Sequence, residues 1–272
     1  MKVLIVDGEF HWGFSVRAPY TSAGSQSYPL PPPTTLVGAL ARAYAKLLSK
    51  GEVTIINQDL YSTTIELLDY VVWASIKLYR NNYMMPYSDM IRLLRVQYVR
   101  EPYRIEPTKW FGVSAFGKVY GNTKFRIVYI LLEDLIEKLG RDIIVRMGLG
   151  IVSLGSKESI VSISNVKLVD PVKVKLSSFE TPYYVPRTVV DEFDEVTAKV
   201  VSMPKYPPRK SYYLLREYIG LEEIHEDYLI PRGPANLIQG SNMKILKITN
   251  RAKVLRVEND FLLLPLRSMR SR

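Results

Sequence analysis

The sequence predicts an α+β fold. Three observations carry that reading: a strand-like opening with alternating apolar residues, two amphipathic helical segments between strand-like runs, and a proline-punctuated C-terminal third of short β-like stretches. Over residues 1–170 the order is β-α-β-β-α-β, the ferredoxin-like or RRM-type arrangement, with an insertion at about 80–110 that is too long for a plain connection. Residues 171–272 form a smaller β-rich region.

Residues 2–17 read as a long strand with a break at Gly8. Phe10, Trp12, Phe14 and Val16 share one face, and Glu9, His11, Ser15 and Arg17 the other. Residues 18–33, rich in Ser, Tyr, Gly and Pro, are loop. Pro31-Pro32-Pro33-Thr34-Thr35 then gives a rigid helix start with a hydroxyl N-cap. Leu36, Val37, Leu40, Tyr44, Leu47 and Leu48 make the apolar stripe of that helix, Arg42, Lys46 and Lys50 line another face, and Gly51 is placed to end it.

Residues 69–80 are a second strand. Residues 111–132 read as one or two strands with a turn at Gly121-Asn122. Glu133-Asp134 opens a helix to about Met147, its acids placed where the helix dipole favours them. A glycine-bearing loop and a strand over about 159–169 complete the pattern. Beyond Asp170, prolines from Pro182 to Pro234 separate short β-like runs, and residues 243–249, 253–257 and 261–264 read as a meander with turns at Asn250 and Asn259-Asp260.

Composition narrows the function. With 272 residues, 47% hydrophobic and 24% charged, the chain can bury a full core and is not a disordered sequence. No apolar run approaches the roughly 20 residues of a membrane span, and the N-terminus lacks a signal-peptide pattern, so a cytoplasmic protein without membrane contact is expected. Zero cysteines and two histidines exclude thiol chemistry and multi-histidine metal sites, so no metal or other cofactor is expected. The 37 Lys and Arg against 27 Asp and Glu, a net charge of +10, favour a polyanionic partner. The 19 tyrosines suit stacking on single-stranded bases.

Three segments could carry chemistry. The start of the first helix could present backbone N–H groups to phosphate, although an ordinary proline-introduced helix with solvated cations explains the spacing better. The loop Gly148-Leu149-Gly150-Ile151-Val152-Ser153-Leu154-Gly155-Ser156-Lys157-Glu158 nearly fits a P-loop, but Ser156 stands where the lysine must be and a strand follows, which excludes an NTPase. Its glycines could let a nucleic-acid backbone approach closely, and a plain tight turn is an equal reading. Residues 79–110 mix Arg80, Arg92, Arg95, Arg100, Arg104 and Lys109 with Tyr79, Tyr83, Tyr87, Tyr98, Tyr103 and Trp110. That mixture favours single-stranded RNA over a solvated hairpin or a protein-binding arm. For catalysis, His11 is the one candidate base near this path, and a lone strand histidine is more often structural.

The stretch Tyr28-Pro29-Leu30-Pro31-Pro32-Pro33-Thr34-Thr35-Leu36-Val37-Gly38-Ala39-Leu40 closely resembles the N-terminal signature of the CRISPR-associated protein 5 family, RAMP-superfamily subunits of type I Cascade. Ser153-Leu154-Gly155-Ser156-Lys157-Glu158-Ser159 is similar to that family's later segment before a strand. The two frame residues 1–170, the C-terminal region matches no motif, and the archaeal, thermophile-like character points to subtype I-A. The resemblance implies an RRM-like domain that grips the 5′ handle of crRNA, caps the Cascade backbone next to the backbone and large subunits, and projects a thumb. The residues it nominates for RNA contact are Arg17, Tyr20, Ser25, Ser27, Thr34, Thr35, Arg42 and Lys46 around the first helix, Arg92, Arg95, Arg100, Arg104, Lys109 and Trp110 in the thumb, and Gly155, Ser156 and Lys157 in the glycine loop. Some family members cleave the repeat with a Tyr/Lys/His cluster. This chain lacks an adjacent Lys-His pair, so a non-catalytic subunit is expected, with a metal-independent repeat endoribonuclease or a protein-interaction module as alternatives.

Overall fold

The computed structural model describes residues 1–16, 27–94, 111–156, 158–206, 213–214, 225–235 and 237–266. The chain opens with β1 (Lys2–Phe10) and β2 (Gly13–Phe14), followed by α1 (Pro33–Leu47), β3 (Val53–Ile56), β4 (Asp59–Ser62), α2 (Ile65–Leu68) and β5 (Val71–Leu78). Next come β6 (Tyr83–Leu94), β7 (Phe111–Tyr120), β8 (Thr123–Leu131), α3 (Glu133–Leu139), α4 (Arg141–Leu149) and β9 (Val161–Val169).

A four-stranded sheet of order β5-β8-β1-β9 is antiparallel at every junction. Strands β1, β5 and β8 are apolar because both faces are covered: Leu4, Val6, Ile127 and Ile76 are fully buried, as are Val3, Ile5, Val128 and Ile130. Helices α1 and α4 pack on one face. Leu36, Val37, Leu40 and Tyr44 of α1 are buried as their spacing predicts, whereas Leu47 is 40% exposed beyond the edge of that contact.

The long hairpin β6–β7 extends the β5–β8 ladder outward and occupies the place of the expected insertion. It forms the middle of a second sheet, β16-β6-β7-β2, in which β16 (Ile238–Gln239) is supplied by the C-terminal region. The remaining C-terminal strands are β10 (Val172–Val174), β11 (Phe179–Thr181), β12 (Val185–Pro186), β13 (Val190–Phe193), β14 (Ala198–Pro204), β15 (His225–Pro231), β17 (Met243–Ile248), β18 (Ala252–Val257) and β19 (Asp260–Pro265). They form three small sheets, β10-β18-β19, β11-β17-β13 and β12-β15-β14.

This region covers the second face of the central sheet. Leu255, Val257, Leu262, Leu264, Tyr183, Tyr184 and Tyr228 join the same core cluster as β1, β5 and β8, so that core crosses residue 170. Trp73 lies against Tyr184, Tyr206 and Tyr228 at ring-centroid distances of 5.9–6.4 Å. A polar lock sits on the same face. Arg126 grips Asp7 through Nε (2.6 Å) and Nη2 (3.0 Å) and reaches Glu258 through Nη1 (2.6 Å). Tyr79 Oη and Asn165 Nδ2 donate to the Asp7 carboxylate as well, and Lys77 pairs with Asp260. Burial raises the Asp7 pKa, but the bonds from Arg126, Asn165 and Tyr79 outweigh it and hold the carboxyl below its usual range.

Several expectations need correction. The opening is not one strand: it breaks after Phe10, where Gly13 takes φ +110° and the chain turns to pair with β7. Trp12, expected on the buried face, is therefore 67% exposed. Gly8 marks a register shift against β9 rather than a break. The turn at Gly121-Asn122 joins strands of different sheets, since β7 pairs with β6 and β2 while β8 pairs with β1 and β5. The helix from Glu133 is two helices, divided at Gly140 with φ +84°. Helix α1 begins at Pro33 with Pro32 at the N-cap position, and neither Thr34 nor Thr35 provides a capping hydroxyl. α1 ends at Leu47, before Gly51. The last three strands are not one meander: β18 pairs with β19, but β17 pairs with β11 and β13.

Candidate nucleic-acid interface

The first-helix motif and the glycine loop are about 120 positions apart in sequence, and the fold brings them together at Ser15. Ser156 N donates to Ser15 O (2.9 Å), and Ser15 N donates to Ser159 Oγ (3.0 Å). Ser159 is held in turn by backbone bonds to Leu154 and Ser156. Gly155 sits at φ +127°, and a Cβ there would stand 2.7 Å from Ser15 O and 2.8 Å from Val16 Cγ2. Only glycine gives this backbone approach without displacement.

The stems of the segment 17–26 are fastened to the same place. Tyr28 N donates to Val16 O (2.9 Å) and Val16 N to Ser27 Oγ (3.0 Å). Tyr28 Oη and His225 Nε2 share a hydrogen bond (2.5 Å), which ties one stem to the start of β15. Burial holds the His225 pKa below its ordinary value, which favours the neutral ring. Ser27, Gly155 and Ser156 thus lie in one constellation. Arg17, Tyr20, Ser25 and Lys157 lie outside the described residues.

The helix start contributes less than its sequence promises. Leu30, Pro31, Pro32 and Pro33 are buried, Tyr184 Oη donates to Pro31 O, and Thr35 N donates to Pro32 O. Thr34 and Thr35 are half-buried in the first turn. Arg42 and Lys46 are exposed, but Arg42 is about 14 Å further along the helix. It lines a groove between α1 and the β3–β4 hairpin, with Gly38, Ala41 and Ala45, and its Nε is 4.0 Å from Glu52.

The β6–β7 hairpin joins the constellation through Lys118, whose ammonium is 3.2 Å from Glu158 of the glycine loop. Its outer face is aromatic. Tyr83, Met85 and Tyr87 alternate outward along β6, and Tyr120 stands opposite Met85. Their exposures are 47%, 51%, 38% and 52%, and the Tyr87 and Tyr120 rings meet edge to face at 6.2 Å. The exposed Trp12 is joined to the end of the hairpin through its carbonyl, which accepts from Gly121 N (3.2 Å). Sequence reasoning missed Trp12 and Tyr120; the signal available for Trp12 was Gly13, a glycine inside an alternating strand pattern. Of the thumb cations, Arg92 lies on β6 opposite Val113, with only its backbone described. Arg95, Arg100, Arg104, Lys109 and Trp110 lie outside the described residues.

His11 is exposed, with Nε2 2.6 Å from Ser162 Oγ. Among the described residues no three His, Asp or Glu side chains form a metal-sized group, and no helix is long and apolar enough to cross a membrane.

No protein-family model matches the sequence. "CRISPR-associated protein Cas5 2" of Saccharolobus solfataricus is 35% identical over 261 residues, 94% of this chain and 92% of that protein. "CRISPR system aCascade subunit Cas5 1" of the same organism is 27% identical over 82% of this chain and 85% of that protein. The crystal structure of a CRISPR protein from Archaeoglobus fulgidus superposes with a TM-score of 0.59 at 19% identity, covering 97% of this chain and 99% of that one, which shows a shared fold. With more than a third of its residues identical across nearly the full length of an archaeal relative, the chain belongs to the Cas5 family of CRISPR-associated proteins.

Proposed function

We propose that the protein is a non-catalytic subunit of a type I CRISPR surveillance complex in the cytoplasm, where it holds the 5′ handle of crRNA and caps the backbone, touching the backbone and large subunits. One observation carries the reading: the glycine loop, the stems of the 17–26 segment and the base of an aromatic hairpin are fastened to one another around Ser15. Backbone donors and cations at such a junction would hold phosphates, and the exposed tyrosines would stack on splayed bases. The name of the second relative, an aCascade subunit, is consistent with this assignment. The sheet order β5-β8-β1-β9 supports a ferredoxin-like RAMP domain over residues 1–170, with the thumb at about 80–110 and the β-rich region after it.

The fold also favours a particular route. The broad sheet face, which RRM-type proteins use for RNA, is occupied here by Leu255, Leu262 and the Arg126–Asp7–Glu258 lock. RNA would therefore run along the rim, past the Ser15 junction and over the hairpin. Changing Arg92, Arg95, Arg100 and Arg104 together to Ala should weaken handle binding and flatten its salt dependence. Unchanged affinity in a filter-binding titration would remove the thumb from the interface.

A second reading, a metal-independent repeat endoribonuclease, is favoured by one feature, the exposed His11 hydrogen-bonded to Ser162 Oγ. Incubation with full repeat RNA in EDTA separates the two. Site-specific cleavage that disappears in His11→Ala would replace the scaffold reading.

A further inference from the structure

The β14–β15 ladder pairs Ala198 with Pro231 and Lys199 with Ile230, and Arg232 N continues it by donating to Thr197 O (2.9 Å). Arg232 therefore stands two positions along from Lys199's partner, on the same face, a diagonal neighbour with Cβ atoms about 7–8 Å apart. Lys199 is half-buried, its stem beside Ile230 and Val201, which pack into the main core. Arg232 is exposed.

Two cations are thus held side by side, one of them partly out of water. No ion pair or side-chain hydrogen bond engages either among the described residues. Other partly buried cations are treated differently: Lys77 meets Asp260, Lys118 meets Glu158, and Arg126 meets Asp7 and Glu258. Asp194, at the adjoining turn, spends its two oxygens on Val196 N and Thr197 Oγ1, each at 3.0 Å. Burial and the neighbouring guanidinium both hold the Lys199 ammonium below its ordinary value. Such an arrangement opposes folding, and a bound anion would relieve it.

We infer that Lys199 and Arg232 form a phosphate-binding site of the C-terminal region, taking the backbone of a single-stranded nucleic acid. This rests on the RNA-binding reading above. Continuity with the hairpin favours nucleic acid over an acidic protein. From Arg232 the chain needs six residues to reach Ile238, which pairs with Met84, so the two lie within about 22 Å. Gln239 then donates to Tyr83 Oη (3.3 Å) on the aromatic face. A strand stacked on that face would find Arg232 on the segment that feeds the same sheet, with Lys199 beside it on β14.

The test uses the full chain and a labelled single-stranded RNA carrying the host repeat-derived handle, titrated from 50 to 200 mM salt. Lys199→Met with Arg232→Gln should bind about tenfold more weakly at low salt. The slope of log affinity against log salt should fall by about 1.4, the loss of two phosphate contacts to a single strand. Thermal stability of Lys199→Met without RNA should be equal or higher, because a repelled, desolvated cation is gone. A purely structural lysine would show the opposite. Unchanged affinity and slope in a variant that still binds RNA would overturn the site and leave the RNA-binding reading standing. Wild-type protein that fails to bind RNA at 50 mM salt would overturn both. Loss of association with the backbone subunit at an unchanged salt slope would assign the pair to a protein contact instead, and overturn the phosphate site.

Discussion

Gly155→Ala tests the junction most directly. The new Cβ would lie 2.7 Å from Ser15 O, 2.8 Å from Val16 Cγ2 and 3.0 Å from Ser159 Oγ, at a φ of +127° that L-residues rarely adopt. The backbone strain costs about 1–3 kcal/mol. Two of the three contacts lie well inside van der Waals distance, and one is to a main-chain oxygen that cannot rotate away, so the total should be about 2–4 kcal/mol. For a chain of this size that corresponds to a fall in Tm of roughly 5–15 °C. Gly38→Ala is the internal control. Gly38 lies inside α1 with nothing within 4 Å of its added Cβ, so the substitution should be neutral or stabilise by about 0.5–1 kcal/mol. Urea titration with both variants gives the free energies, and handle-RNA affinity is read on the same samples below the transition. A Gly155→Ala protein within about 0.5 kcal/mol of wild type would refute the close approach. One that is destabilised as expected yet binds RNA normally would show that the junction does not shape the interface.

Other outcomes rest on the same geometry. Arg126→Met should cost about 3–5 kcal/mol in chemical denaturation, because it leaves the buried Asp7 carboxylate without its cation and Glu258 with Lys167 alone, and adding Asp7→Asn should recover part of the loss. The folded state binds a proton at His225 less readily than the unfolded chain, so stability should fall as pH drops through about 6.5 and level off below the folded pKa. Melting curves from pH 7.5 to 5.5 measure this, and His225→Gln should remove that component. The carboxylates of Asp7, Glu66 and Glu258, held below their ordinary values, should make a separate contribution that disappears as pH falls further into the acid range. Tyr87→Ala with Tyr120→Ala should weaken handle binding by about 1–3 kcal/mol per lost stack in a fluorescence titration while melting close to wild type, since both residues lie on the surface outside the core clusters.

The elements legible in the sequence were those with a local period. Runs of strand-forming residues marked β1, β5 and β9, and the 3.6-residue stripe of Leu36, Leu40 and Tyr44 marked α1. The glycine loop and the first-helix motif were also legible, each as a separate segment. What escaped is what depends on partners far along the chain. Phe10, Trp12 and Phe14 alternate as one strand would, and only the pairing of Gly13 with Tyr120 shows that Trp12 has left the core. The lock of Asp7, Arg126 and Glu258 joins three residues that carry no mutual spacing signal. Thr34 and Thr35 read as caps because hydroxyl side chains are favoured at a helix start. The first helical position went to Pro33 instead, since its missing N–H costs nothing there.

The covering of the central sheet from both sides bears on how this chain can be dissected. A fragment stopped after β9 would bare the Trp73 face and strip Arg126 of Glu258, and it would also lose β16 from the edge of the hairpin. The segment that looks like a self-sufficient module in the sequence borrows a wall from the C-terminal strands. Truncation is thus a poor way to obtain a smaller working unit, and point substitutions that leave both halves in place are the sounder tool for separating the contributions of each.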